Sequence, residues 1–106
     1  MENIVDTNIE LLKLDQLDKS AYFLDLMNTN SFEIGILRLE PGQKDIQTTH
    51  TEDEIYFVID GEGHIRIHEN DYEIKKGFCI FIPSNAEHHF YGNKNRLTVL
   101  YIFNKR

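Results

Sequence analysis

Along most of the chain, apolar and polar residues alternate in short runs broken by turn-forming clusters. Phe32-Glu33-Ile34-Gly35-Ile36-Leu37-Arg38-Leu39 is one such run, and Ala21 to Met27 is its hairpin partner across Asn28-Thr29-Asn30-Ser31. Asn, Ser and Thr side chains satisfy turn backbone locally, so that cluster predicts a reversal. Pro41-Gly42 ends the pair. The rhythm then repeats, with strands expected over Glu54 to Ile59, His64 to His68, Tyr72 to Ile74, Phe78 to Ile82, His88 to Tyr91 and Leu97 to Phe103. Turns are expected at 60–63, 69–71, 75–77 and 83–86. Many short strands at this spacing predict an all-β antiparallel sandwich or barrel. Before Ser20 the apolar residues are irregularly spaced, so residues 1–19 are expected to form an N-terminal arm with a helical turn, and 20–106 one barrel domain.

The chain's 106 residues fit one domain, long enough to bury a core without staples. Eleven Lys plus Arg against 18 Asp plus Glu give a net charge of −7, which argues against nucleic acid or an anionic membrane as partner. With one cysteine, Cys79, no internal disulfide forms. No run approaches the ~20 apolar residues of a membrane span, and the first residues do not read as a signal peptide. The expectation is a cytoplasmic protein.

Chemistry concentrates in the histidines and the acids near them. His50 and Glu54 are an even number of residues apart, so they can share a strand face, which Tyr56 and Val58 continue. His88 shares a face with Phe90, and His89 shares the other with Tyr91. If the Glu54 and His88 strands are neighbours in a barrel, His50, Glu54 and His88 converge. Asp53 has the wrong parity, while Glu52 lies beside a turn and is not excluded by charge. His64, Arg66 and His68 also share a face, but the cation between them opposes metal binding and marks a solvated surface.

Two segments resemble the paired motifs of the cupin superfamily. In the first, Gly42 is followed after five residues by Thr48, then His50, Glu54 and Gly61, at the spacing of Gly, His-x-His, Glu and Gly. In the second, Gly77, Pro83, Asn85 and His88 follow the spacing Gly, Pro-x-Gly, His, with Asn85 where Gly is usual and Asn93 one place beyond the closing Asn. Together they span roughly half the chain. The resemblance implies a double-stranded β-helix (jelly-roll) barrel, often a homodimer, and it selects Glu54 over Glu52 and His88 over His89. Cupin sites usually hold three His and one Glu. Here Thr48 replaces one His, leaving two His and one carboxylate around one divalent metal ion (Fe, Mn, Ni, Co or Zn), a set associated with non-haem iron. Thr48 is a poor ligand, and Gln47 reaches the site only through a bulge.

A barrel interior penalises unmet polar groups by roughly 2–7 kcal/mol each, against a domain stability of about 5–15 kcal/mol. Three of them are therefore expected to be metal-bound or mutually hydrogen-bonded. Thr48, Tyr56 and Phe90 are the expected ligand-binding walls. Phe57, Ile59 and Phe81, on the opposite parity, are expected at a dimer interface or in a second apolar layer. The functional expectation is a metalloenzyme of dioxygenase, isomerase or lyase type acting on a small organic molecule, the alternative being a non-catalytic small-molecule-binding module.

Overall fold

A computed structural model describes residues 3–16, 23–47 and 51–105. Among the described residues, one helix, α1 (Thr7–Asp15), precedes eight strands: β1 (Phe23–Asn28), β2 (Phe32–Leu39), β3 (Glu54–Asp60), β4 (Glu62–Ile67), β5 (Asn70–Lys75), β6 (Cys79–Ile82), β7 (His88–Tyr91) and β8 (Leu97–Asn104). All pairings are antiparallel, in a five-stranded sheet of order β1-β2-β8-β3-β6 and a three-stranded sheet of order β5-β4-β7.

Alternation does the folding. In β3, Glu54, Tyr56 and Val58 are buried while Ile55 and Phe57 are exposed. Leu37, Leu39, Leu97, Val99 and Tyr101 of the large sheet join Tyr56 and Val58 in one core, met by Ile65, Ile74 and Phe90 of the small sheet. The sheets thus close face to face as a double-stranded β-helix barrel.

Two motif positions are explained by backbone conformation. Gly61 sits at φ +89°, and a Cβ there would lie 2.3 Å from the Arg96 carbonyl oxygen. Asn85, standing where the motif has Gly, adopts φ 65°, a left-handed conformation that Asn tolerates better than most residues.

Four expectations are adjusted. The turn expected at 60–63 narrows to Gly61, because β3 runs to Asp60 and β4 begins at Glu62, and there the chain passes from one sheet to the other. The β4–β5 reversal falls at His68, which has φ 53°, so His68 leaves the face shared by His64 and Arg66. The β5 strand, expected over three residues, runs over six. The expected helical turn is a nine-residue helix capped by Asp6, whose carboxylate accepts from the Asn8 and Ile9 N–H groups. Its end is tied to the barrel by Asp15, paired with Arg38 and with Arg96.

Candidate metal centre

The strands carrying Glu54 and His88 are not neighbours. Glu54 opens β3 in the large sheet and His88 opens β7 in the small one, so the two side chains meet across the barrel interior. Their parity is as expected, and both are buried. His88 Nε2 lies 3.3 Å from Glu54 Oε1. On its other side, His88 Nδ1 is 2.9 Å from the Ala86 carbonyl oxygen. A carbonyl only accepts, so Nδ1 carries the proton and Nε2 is the nitrogen turned toward Glu54. Burial pulls the His88 pKa down, but the Glu54 carboxylate and the Ala86 carbonyl outweigh it and hold the imidazole above its ordinary value.

The Tyr56 hydroxyl stands between them. It is 3.0 Å from His88 Nε2, 3.1 Å from Glu54 Oε1 and 2.7 Å from Gln47 Oε1. Burial, reinforced by the Glu54 charge, pushes its pKa far up, so it is a neutral phenol. Its ring packs edge-on against Phe90, with centroids 4.8 Å apart. Phe90 is 1% exposed and serves the core first. An open cleft of about 790 Å³ reaches His88 along the 42–47 loop and β7, with Gln47 and Glu87 in its wall.

His50 and Thr48 lie outside the described residues. Among the described residues, no three His, Cys, Asp or Glu side chains converge as a metal-binding group. The donor set nevertheless fits an ion. Two ligands each about 2.1 Å from one cation sit about 3 Å apart, close to the observed 3.3 Å between His88 and Glu54. A ligating His also commonly has its other ring N–H bound to a backbone carbonyl, as Ala86 provides here.

Sequence reasoning missed Asp45. It is buried on the connection before β3, where its Oδ2 accepts from the Phe90 N–H at 2.8 Å and from Gln47 Nε2 at 2.7 Å. Periodicity carries no signal in such an irregular segment. Gln47, weighed as a fourth ligand, spends its carbonyl on Tyr56 and its amide N–H on Asp45. The outer face at His64 is less solvated than expected: the ring stacks on Tyr91 at 5.2 Å, and its Nδ1 is buried without a partner among the described residues.

A two-sheet β-helix barrel enclosing a His–Glu–Tyr cluster defines the class of protein. The model for the cupin domain matches residues 35–103, and the chain belongs to that family. It is 25% identical over 100 residues to an uncharacterized protein of Streptomyces coelicolor, covering 90% of this chain and 95% of that one. It is 34% identical over 55 residues to the dimethylsulfoniopropionate lyase DddW of Ruegeria pomeroyi, covering 52% of this chain and 36% of the lyase. The TT1209 structure from Thermus thermophilus superposes with a TM-score of 0.75 at 20% identity, over 99% of both chains.

Proposed function

We propose that the protein binds one divalent transition metal ion (Fe, Mn, Ni, Co or Zn) through His50, Glu54 and His88 and acts on a small organic molecule entering along the cleft. The observation that carries this is the buried pair of His88 Nε2 and Glu54 Oε1, 3.3 Å apart, with the His88 tautomer set by Ala86. When bound, the ion would act as a Lewis acid toward a substrate oxygen. Tyr56 holds a phenol proton beside that position and is the group placed to donate it, or a hydrogen bond, to a substrate oxygen. Of the three expected reaction types, lyase chemistry is favoured, because it asks for a proton-handling group beside the ion and because the chain resembles a lyase over 55 residues.

Elemental analysis of tag-free protein tests the metal reading: one equivalent in the wild type and loss in His88→Ala and Glu54→Gln are expected, and metal-free protein that takes up no added ion refutes it. Ligand-induced thermal stabilisation without turnover would favour a binding module instead.

A homodimer is part of the proposal. Ile55 pairs with Phe81 and Phe57 with Cys79 on the outer face of the large sheet, and the three apolar residues are 43–58% exposed. Such a patch is characteristic of an interface. The exposed free thiol of Cys79 fits the reducing cytoplasm as its location.

A further inference from the structure

A second cavity, of about 390 Å³, lies at the end of the small sheet. Its wall takes inward residues, Gly63 and Ile74, together with outward ones, His64 and Glu73, so it opens around the rim of the sheet. Gly92 also lines it, one residue past the end of β7. His88 opens β7, and about 13 Å of extended chain separates it from Gly92. The cavity is therefore at the opposite end of the barrel from the candidate metal centre.

His64 is held there without being satisfied. Its ring stacks on Tyr91, with centroids 5.2 Å apart and planes 23° apart. Tyr91 is itself anchored by its hydroxyl, which donates to Asp71 at 2.7 Å. Gly92 closes another approach: its φ is +68°, and an added Cβ would lie 2.9 Å from His64 Nδ1. Nδ1 is buried and has no hydrogen-bond partner among the described residues. A polar group left unmet in a native fold calls for an explanation. With Nδ1 shut against Gly92, Nε2 is the nitrogen left for a ligand.

Charges of both signs share the cavity wall and leave one another alone. Glu62 and Lys75 are cross-strand partners, as are His64 and Glu73, and Lys94 lies on the same wall. Opposite charges directly across two strands attract, and Arg66 and Asp71 do pair on the next rung, at 3.0 Å. Yet none of the ion pairs among the described residues involves Glu62, Glu73, Lys75 or Lys94. Two carboxylates repel a ligand that is only an anion, and two ammonium groups repel one that is only a cation. A molecule carrying both charges suits the wall. Phe78, 41% exposed, adds an apolar side.

We propose that this cavity binds a small zwitterion, an amino acid or a molecule with the same pair of groups. Lys75, Lys94 and His64 Nε2 take its carboxylate, Glu62 and Glu73 its ammonium, and Phe78 its apolar part. The site stands apart from the metal centre and does not depend on the metal reading.

The His64 ring-proton resonances, followed by NMR as ligand is added, test it. The probes are the standard amino acids, β-alanine and γ-aminobutyrate, each binder being compared with its deaminated carboxylate and its decarboxylated amine. Saturable shifts are expected with at least one zwitterion. Both one-charge analogues should bind at least about tenfold more weakly, the usual effect of losing a charged hydrogen bond. Lys94→Gln and Glu73→Gln are each expected to weaken binding about tenfold, and both positions are exposed, so the core is untouched. Shifts with none of the probes, equal affinity for the carboxylate or the amine alone, or wild-type affinity in both variants overturns the inference. None of these results bears on the metal reading, which elemental analysis tests separately.

Discussion

The Tyr56 hydroxyl reaches from the large sheet to within 3.0 Å of His88 Nε2 on the small one. This is a polar link between the two halves of the barrel, set directly on the apolar core through the Tyr56–Phe90 contact. Tyr56→Phe keeps the ring packing and removes the link. It leaves the Gln47 carbonyl without its donor, and an unmet buried group costs about 1–3 kcal/mol. A destabilisation of that size is expected in urea unfolding of the metal-free protein, and unchanged stability would show that the hydroxyl is not part of the barrel's polar closure.

The raised pKa of His88 gives a pH dependence with a definite sign. A histidine whose folded value exceeds its unfolded value contributes stability that is fully present below the ordinary 6.5 and is lost as pH rises through the raised folded value. Metal-free protein is therefore expected to lose stability over that window, and His88→Gln to remove the dependence. Metal affinity should run the opposite way, because Nε2 must shed its proton before it can bind an ion. Urea midpoints and cobalt affinities measured across the same pH series check both slopes.

At Gly61, both conformation and space exclude a side chain. Gly61→Ala would place a methyl group 2.3 Å from the Arg96 carbonyl oxygen at φ +89°. Strain at such a conformation costs about 1–3 kcal/mol, with the backbone clash in addition. The expected result is a loss of at least about 2 kcal/mol in denaturant unfolding, whereas Gly42→Ala, with no atom within 4 Å of the added carbon, should lose less.

On the outer face of the large sheet, Phe81→Asp is expected to convert a dimer to a monomer in sedimentation or light scattering, with the β-sheet circular dichroism unchanged. Phe81 is 58% exposed, so the substitution leaves the core intact. A wild type that is already monomeric would show that this face does not pair.

Strand parity was the most legible part of the sequence. It placed Glu54, Tyr56, Val58, His88 and Phe90 inward, and all are buried; β2 has the bounds expected from its alternation. Parity says which face a residue takes but not which sheet its strand joins, so the meeting of Glu54 and His88 across the interior needed the topology. The misplaced β4–β5 turn has a similar cause, since histidine at φ 53° is not advertised by its residue type. Asp45 and Gln47 were illegible as a pair because they lie outside any regular strand, where spacing carries no direction. What gives them a role is a set of hydrogen bonds to β3 and β7.

The most direct measurement is an anomalous-difference map, at a transition-metal absorption edge, from crystals grown without added metal. A single peak is expected at about 2.0–2.2 Å from both His88 Nε2 and Glu54 Oε1, with His50 as the third protein ligand. A map with no peak there, from protein that also fails to take up iron, manganese, nickel, cobalt or zinc on soaking, would contradict the assignment of this cluster as a metal centre.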